Sequence, residues 1–461
     1  KITSTVVMNG VKICDGTTID SSVIGDGTFI GKNCIIESSF IGPYSLICDN
    51  ARVEKGSVIP QESIIGKGQT VAQAEVTKSF FTDSGKAELS VENEAHALKF
   101  GHSLDFLSKK RPIILFHDGT EKATDILNVI YSSLDFSKRV IKGDFGSYPL
   151  ASFSAMKKKG ISVFLVSEAT DVVTAYVFDE KGLPLSREEQ IICEKAVFTE
   201  TESRQGMKEE HFLGDESLSD LYVSWRSEKI PPLASTNLCL DNTSSCRLLS
   251  RIIKKLGGEC EFSPQREKKD FLSIDEKGTE LFCVTKKGKK LSKLDILYII
   301  PKYFPCENVS LPDYTPEGLK DAILSNGGSF SIYSDEISGR KKASGVYGYD
   351  DGISIALALL SASHVSGLSI DEMSENLERP SFEEKTVYFN GDKSIIFDRL
   401  CEKSHDSEGR LRKNFDGGHV SIVPQYGNQF RIFAEAINAE TASELIILAE
   451  KDVEDADKSC F

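Results

Sequence analysis

The residues that could do chemistry in this sequence lie in short polar segments. Ser167 follows a buried apolar run, Asp275 opens an acidic turn, and Glu336 and Ser338 precede Gly339. A carboxylate and a hydroxyl on a tight glycine turn can exchange hydrogen bonds with sugar hydroxyls. The segment around Gly339 is therefore a possible sugar-binding loop, although an ordinary solvated turn would use the same residues.

Cysteine and histidine spacing gives no metal-site pattern. The eleven cysteines include no C-x-x-C pair, and the seven histidines form no H-x-x-x-H or H-E-x-x-H motif. This usage predicts reduced thiols in a cytoplasmic protein and structural histidines, with no metal or other cofactor bound by this chain.

Composition limits the partners of the chain. Its net charge of −15 and pI near 5.1 argue against a nucleic-acid surface. The longest apolar run, 353–370, contains His364 and five serines, which predicts a buried helix and turn and not a membrane span. A length of 461 residues suggests three or four domains.

The first 75 residues carry a repeat of six. β-Branched apolar anchors recur every six residues, with two steps of five, and small residues recur four positions after many of them. This spacing predicts a parallel β-helix, and it resembles the left-handed β-helix of the hexapeptide-repeat superfamily. We expect such a prism to self-associate; a run of short hairpin strands is the alternative. The anchors are Val7, Ile13, Ile19, Ile24, Ile30, Ile36, Ile41, Ile47, Val53, Ile59, Ile65 and Val71.

Strand and helix patterns alternate after the repeat, which predicts α/β layers closed by a small α+β domain. We place the domain boundaries at 1–75 (β-helix), 76–94 (linker), 95–205, 206–303, 304–380 and 381–461.

Three stretches, 177–186, 351–360 and 429–436, resemble parts of the phosphohexomutase superfamily. A hexapeptide prism before such a module resembles the C-terminal two-thirds of mannose-1-phosphate guanylyltransferase fusions. In those proteins a nucleotidyltransferase domain, which would need Mg²⁺, comes first. No glycine-rich nucleotide loop or Asp-x-Asp site of that domain is present in this sequence.

The resemblance implies four functional loops, and the first two depart from the family pattern. The nucleophile loop T-A-S-H-N-P corresponds to 166–171, where Ser167 is out of frame and two acidic residues would repel a phosphate. The metal loop D-G-D-G-D-R corresponds to 275–280, where Asp275 remains but lysine and threonine replace the other aspartates. Magnesium requires converging oxygen ligands, so we expect no metal here.

The other two loops match the family pattern to different degrees. The sugar loop G-E-x-S-G corresponds to 335–339, where Glu336, Ser338 and Gly339 match. The phosphate clamp R-P-S-G-T-E-P corresponds to 423–429, where the arginine is Val423 and bidentate phosphate recognition is lost.

These departures predict a non-catalytic oligomerisation or regulatory region of nucleotide-sugar metabolism, a mutase fold without its chemistry. Its ligand would be a sugar phosphate or nucleotide sugar. Alternatives are an active phosphohexomutase that interconverts hexose 1- and 6-phosphates, and a structural scaffold unrelated to sugars. An acyltransferase is disfavoured because residues 1–95 contain no histidine to act as general base.

Overall fold

The computed structural model describes most of the chain, and the chain divides into two compact units, Lys1–Trp225 and Arg226–Phe461. The described residues are 1–61, 63–71, 77–78, 81–83, 86–109, 111–135, 140–169, 171–198, 218–228, 230–263, 269–312, 314–333, 351–375, 377–391, 393–401, 411–424 and 429–458.

Thirteen short strands open the first unit, and every third strand pairs in parallel. The first sheet contains β1 (Ile2–Thr3), β4 (Thr18–Asp20), β7 (Ile35–Glu37), β10 (Arg52–Val53) and β13 (Thr70–Val71). The second contains β2 (Val6–Val7), β5 (Val23–Ile24), β8 (Phe40–Ile41) and β11 (Val58–Ile59). The third contains β3 (Lys12–Ile13), β6 (Phe29–Ile30), β9 (Leu46–Ile47) and β12 (Ser63–Ile65), with β14 (Thr77–Lys78) antiparallel at its edge.

The anchors of the six-residue repeat form one apolar core between these sheets. Ten of the twelve, from Ile19 to Val71, are buried in a single cluster, and Ile13 packs against it. The small residues of the repeat are buried beside the turns, where Thr17 donates to the Gly31 carbonyl at 2.6 Å. A hydroxyl of this size satisfies a backbone carbonyl without opening a cavity.

The predicted fold class, a left-handed parallel β-helix followed by α/β domains, is wrong in its first element. The strand pairing gives three separate, short parallel sheets in place of a β-helix. The physical reason lies in what a six-residue spacing specifies. It fixes strand length, one inward residue per strand and the turn between strands, and three parallel sheets around one core meet these requirements.

A six-stranded sheet forms the rest of the first unit, in the order β15-β16-β20-β19-β17-β18. Its strands are β15 (Phe81–Asp83), β16 (Lys86–Ser90), β17 (Ile113–His117), β18 (Val140–Phe145), β19 (Ile161–Ala169) and β20 (Val172–Phe178). Strand β17 is parallel to both β18 and β19, so the carboxyl ends of these three strands share one edge. The helices are α1 (Glu94–Ser108), α2 (Glu121–Ser133), α3 (Tyr148–Lys158), α4 (Arg187–Phe198) and α5 (Leu218–Ser227).

Helix α4 also packs against the outward face of the third N-terminal sheet. Its Ile191 is buried in a cluster with Leu46, Cys48 and Ile64, and Phe29 packs against them. The outward face of the third sheet is therefore covered within the same unit.

In the described part of the second unit, the strands form three sheets. The first has the order β22-β21-β23-β24-β25, and the second is the parallel pair β26-β27. The third is antiparallel, in the order β28-β31-β30-β29. The strands are β21 (Asn237–Leu240), β22 (Glu259–Phe262), β23 (Asp270–Ile274), β24 (Leu281–Val284), β25 (Lys290–Leu291), β26 (Val309–Pro312), β27 (Phe330–Tyr333), β28 (Ser381–Tyr388), β29 (Leu411–Phe415), β30 (Gly418–Pro424) and β31 (Gln429–Ala436).

Side-chain caps fix where several helices of this unit begin. Thr243 caps α6, Ser292 and Asp295 form a capping box at α7, and Asp351 caps α9. The helices are α6 (Ser244–Lys255), α7 (Lys293–Tyr303), α8 (Glu317–Ser325), α9 (Gly352–Ser366), α10 (Ile370–Glu375), α11 (Lys393–Cys401) and α12 (Ala439–Lys458).

The apolar run predicted to be a buried helix is the buried helix α9. Within the described ranges, no helix has the length and apolarity needed to cross a membrane.

Candidate functional site

The predicted nucleophile Ser167 lies at the carboxyl end of β19. Its backbone N–H donates to Asp118 Oδ2 at 2.8 Å. Asp118 follows β17, is 7% exposed, and also accepts from the Thr120 backbone and hydroxyl through Oδ1. The structure therefore holds the Ser167 backbone with a carboxylate from the neighbouring strand. Sequence reasoning missed Asp118, although a carboxylate directly after a buried strand was a usable signal.

The predicted metal-loop residue Asp275 closes its own turn. Its Oδ1 accepts from the backbone N–H groups of Gly278, Thr279 and Glu280 at 2.9, 2.7 and 2.8 Å. The Thr279 hydroxyl lies 3.5 Å from Oδ2. This carboxylate is thus directed at backbone donors of the loop.

A lysine ammonium lies beside the same loop. Lys293 Nζ is 2.5 Å from Glu280 Oε1 and 3.4 Å from the Thr279 carbonyl, and the lysine is 8% exposed. Among the residues that the structure describes, no cluster of three or more His, Cys, Asp or Glu side chains could hold a metal ion. The Glu280 carboxylate of this loop is therefore already engaged by a cation.

The predicted sugar loop and phosphate clamp fall mostly outside the described residues. Glu336, Ser338 and Gly339 belong to 334–350, and the centre of the clamp is 425–428. Their roles remain predictions.

A pocket in the second unit combines aromatic, charged and hydroxyl side chains. Its cavity volume is about 20 Å³, and the wider concave space around it, which includes open solvent, is about 360 Å³. The pocket wall comes from the segment joining β26 to α8 and from one face of the antiparallel sheet. The lining residues are Tyr314, Thr315, Pro316, Glu317, Phe382, Arg412, His419, Ser421, Phe433 and Glu435.

Aromatic rings form one wall of this pocket. Tyr314 and Phe433 stack with parallel planes and centroids 4.8 Å apart, and Phe382 stacks on Phe433 at 5.9 Å. The Arg431 guanidinium lies 4.8 Å from the Tyr314 centroid. Stacking and a cation–π contact together hold this wall in place.

Glu435 organises the charged part of the pocket wall. Its carboxylate accepts from the Glu317 and Gly318 backbone N–H groups at 2.8 and 2.9 Å, at the N-terminus of α8. The Glu435 side chain is 7% exposed, and His419 Nε2 lies 3.6 Å from Glu435 Oε2. Backbone donors and the helix dipole therefore compensate a nearly buried carboxylate.

Two titratable groups of the pocket have shifted pKa values. Burial lowers the pKa of His419, Arg412 and Lys320 lower it further, and Glu435 and Glu317 only partly oppose this. Burial would raise the pKa of Glu317, but the hydrogen bond and charge of Lys320 and the charge of Arg412 bring it below its ordinary value. At neutral pH the imidazole is therefore uncharged and Glu317 is ionised.

Two polar atoms of the pocket residues have no partner within the described structure. These are Thr315 Oγ1 and Arg412 Nε, both shielded from solvent. An unpaired buried donor carries a penalty of about 1–3 kcal/mol.

The pocket is distant from the predicted phosphate clamp. It lies where His419 pairs with Glu435, whereas the clamp connects the Pro424 and Phe430 end of the same strands. The pocket-lining pairs His419–Glu435 and Ser421–Phe433 lie five and three positions from the Pro424–Phe430 pair, or roughly 17 and 10 Å. Sequence reasoning did not identify this site, because its walls come from segments about 100 residues apart.

Comparisons with known proteins identify the fold. No protein-family model and no curated protein matches the chain. Solved structures do match. A phosphoglucomutase/phosphomannomutase family protein from Burkholderia thailandensis is 13% identical with a TM-score of 0.62, over 82% of this chain and 98% of that one.

Two further structures agree. A putative phosphomannomutase from Thermus thermophilus is 15% identical with a TM-score of 0.60, over 82% and 100% of the two chains. The Paramecium phosphoprotein pp63/parafusin, a phosphoglucomutase, is 13% identical with a TM-score of 0.56, over 82% and 95%. The chain therefore has a phosphohexomutase-like α/β fold, as the resemblance predicted.

Proposed function

We propose that this chain is a phosphohexomutase-like module that does not itself move phosphoryl groups. It would serve nucleotide-sugar metabolism as an oligomerising or regulatory region of a mannose-1-phosphate guanylyltransferase-like protein. The observation that carries the proposal is the environment of Asp275. Three backbone N–H groups occupy one oxygen of the carboxylate, and a lysine ammonium lies beside the loop. Phosphoryl transfer needs a metal-neutralised charge, which this arrangement disfavours.

A coupled assay tests this proposal directly. The chain is incubated with Mg²⁺, a hexose bisphosphate and mannose 1-phosphate, and formation of mannose 6-phosphate is followed beside an active mutase. We expect no turnover above background. Metal-dependent interconversion by this chain would overturn the proposal.

An active phosphohexomutase is the second candidate. The observation in its favour is the fold match over 95–100% of mutase chains. Mass spectrometry after treatment with the bisphosphate discriminates, because an active enzyme of this type would carry phosphate on Ser167. An unmodified Ser167 together with no turnover favours the non-catalytic module.

A structural scaffold unrelated to sugars is the third candidate. The departures in the Ser167 and Asp275 loops fit it equally well. Calorimetry with mannose 1-phosphate and GDP-mannose separates it from the first proposal, since a scaffold would release no heat with either.

We further propose that the module self-associates through the outward face of the second N-terminal sheet. Strand pairing aligns Val6, Val23, Phe40 and Val58 in one column across the four strands. Phe40 is 39% exposed and Val58 63% exposed. A contiguous apolar column on a surface is typical of an interaction site.

The other two sheets of the first unit offer less apolar surface. The corresponding column of the first sheet consists of Thr18, Ile35, Arg52 and Thr70, and α4 covers the third sheet. A second copy fits the Phe40 column because an uncharged column can pair with itself about a two-fold axis.

A further inference from the structure

We propose that the first unit binds an acidic peptide segment of a partner protein through one edge of its six-stranded sheet. Cationic residues from three separate parts of the sequence meet there, and we call this surface the basic edge. Two of them follow α1, three lie in the last turn of α3 or directly after it, and one follows β20. They are Lys109, Arg111, Lys157, Lys158, Lys159 and Lys181.

The strand order brings these residues together. Strands β20, β19 and β17 are neighbours in the sheet. Because β17 is parallel to β19 and β20 is antiparallel to it, the starts of β17 and β19 share one edge with the end of β20. The Ile161 backbone N–H donates to the Pro112 carbonyl at 2.9 Å, close to Lys159 and Arg111 in the sequence. Three neighbouring strands span roughly 10 Å, which a short peptide can cover.

The carboxylates at the basic edge are outnumbered by the cations. Arg111 Nη1 lies 2.7 Å from Glu180 Oε2. This guanidinium lowers the pKa of the Glu180 carboxyl, and the charges of Lys181 and Lys159 add to the effect. The neighbouring carboxylate, Asp179, accepts from backbone N–H groups of its own turn. Neither carboxylate is therefore close to balancing the lysines.

The helix ends leave an excess of positive charge as well. Helices α1 and α3 both end at this edge, and the C-terminus of a helix carries about half a negative charge. After both carboxylates and both helix ends are counted, roughly three positive charges remain. Within the described residues, Lys157, Lys159 and Lys181 are exposed and form no ion pair. Their ammonium groups are thus available to a partner.

Exposed apolar side chains lie beside these lysines. Phe106 precedes Lys109 by three residues on α1 and is 59% exposed, and Met156 directly precedes Lys157 on α3 and is 45% exposed. Aromatic residues and methionine are enriched in protein interfaces. The surface therefore fits an acidic segment that also carries apolar side chains.

The extent of the positive surface favours a short peptide over a membrane or a nucleic acid. The screening length in physiological salt is about 8 Å, so a peptide confined to the basic edge experiences mainly the local excess of positive charge. A bilayer or a nucleic acid extends beyond the edge and meets a chain whose net charge is −15. The resulting repulsion opposes binding of such extended polyanions.

This inference does not depend on whether the chain is a mutase. The basic edge lies at the start of β19, whereas Ser167 lies near the end of that strand. Turnover in the mutase assay would overturn the proposed function and leave the basic edge untouched.

Fluorescence anisotropy with the full chain tests the basic edge. The probe is a fluorescein-labelled peptide of about twelve residues that repeats Asp-Glu-Leu, and the control peptide carries Asn and Gln in place of Asp and Glu. Lys157→Glu combined with Lys181→Glu reverses two charges of the edge. Lys55→Glu combined with Lys67→Glu is the matched control, because it changes the net charge equally at two exposed turns of the N-terminal sheets.

We expect the acidic peptide to bind with a dissociation constant of about 10–500 µM in about 50 mM NaCl, and the neutral peptide not to bind. The Lys157 and Lys181 double variant should weaken binding by about tenfold or more, and the control double variant by less than about twofold. Raising NaCl to about 500 mM should weaken binding to the unmodified chain by about tenfold. Circular dichroism of each variant confirms that it is folded.

Three results would overturn the inference. The first is no binding of the acidic peptide up to about 1 mM. The second is equal weakening in the two double variants, since this would assign the effect to the total charge of the chain. The third is tighter binding of phosphatidylserine vesicles or single-stranded DNA than of the peptide at the same salt concentration, since this would assign the edge to an extended polyanion.

Discussion

The carboxylate of Glu435 caps the backbone of Gly318, 117 residues earlier in the chain, with Oε1 2.9 Å from the Gly318 nitrogen. Its second oxygen accepts from the Glu317 nitrogen at 2.8 Å. A strand of the C-terminal sheet therefore supplies the N-terminal cap of α8. Because α8 and this strand both line the pocket, the contact also sets the pocket's width.

Replacing this cap should destabilise the second unit. Glu435→Gln removes the negative charge at the helix N-terminus and keeps only one acceptor oxygen. We expect the free energy of unfolding to fall by about 1–3 kcal/mol, measured by urea denaturation. Glu384→Gln, which loses an exposed ion pair with Arg431, should cost under about 1 kcal/mol. Equal losses in the two variants would show that the cap contributes no more than a surface ion pair.

The stability of the protein should depend on pH through His419. Burial, with help from Arg412, places the pKa of this imidazole below its ordinary value of 6.5. As pH falls below 6.5, the unfolded chain takes up a proton that the folded chain still refuses, so folded-state stability is lost. Well above pH 6.5 the imidazole is neutral in both the folded and the unfolded chain, so His419 causes no loss of stability there.

We therefore expect the contribution of His419 to lower the free energy of unfolding as the pH is brought from 7.5 to 5.5. His419→Asn should show a smaller decrease over the same range. Parallel urea denaturations at several pH values measure the difference between the two proteins. A difference that stays constant with pH would rule out titration of His419 as the cause.

Asp275 should matter for the stability of its loop and not for magnesium binding. Asp275→Ala leaves three backbone N–H groups without their acceptor, and we expect a loss of about 1–3 kcal/mol. Asp416→Ala, in an exposed turn, is the matched control and should be nearly neutral.

Thermal unfolding with and without Mg²⁺ tests the second half of this prediction. A ligand that binds the folded state raises the melting temperature. We expect no shift for the unmodified chain. A Mg²⁺-dependent rise that disappears in Asp275→Ala would identify this carboxylate as a ligand after all.

Close packing of the N-terminal sheets leaves no room for a Cβ atom at some glycines. A Cβ atom at Gly42 would lie 2.4 Å from the Gln61 backbone nitrogen, whereas one at Gly66 would meet only the Gln69 side chain at 3.4 Å. Gly42→Ala should therefore cost about 1–3 kcal/mol, and Gly66→Ala should be tolerated. Urea denaturation followed by circular dichroism compares them. Equal stabilities would mean that the sheets shift to accommodate the methyl group.

Sequence patterns predicted the parts of this fold that local physics determines. The anchors from Ile19 to Val71 had to be buried, since each is the inward residue of a strand two or three residues long. The buried helix predicted within 353–370 is α9, Gly352–Ser366. In the N-terminal region the six-residue spacing led us to predict a β-helix. Such a period specifies the lengths of strands and turns but not how the strands assemble into sheets.

The site was less accessible to sequence reasoning because long-range contacts create it. Tyr314 and Phe433 stack across 119 positions of the sequence, and neither belongs to a recognisable motif. His419 was assigned a structural role from its spacing alone, whereas burial in the folded protein, with help from Arg412, lowers its pKa. The Ser167 and Asp275 segments could be located by resemblance, but their hydrogen bonds to Asp118 and to the loop backbone could not.

Self-association through the second N-terminal sheet can be tested by placing one charge in its apolar column. Phe40→Asp puts a carboxylate at the centre of the column, between Val23 and Val58, where a second copy would have to desolvate it. Light scattering coupled to gel filtration should show an oligomer for the unmodified chain and a monomer for this variant.

Ile35→Asp is the matched control, since Ile35 is 37% exposed but lies on the first sheet beside Arg52. It should keep the oligomer. A monomeric unmodified chain, or equal dissociation of both variants, would exclude this face as the interface.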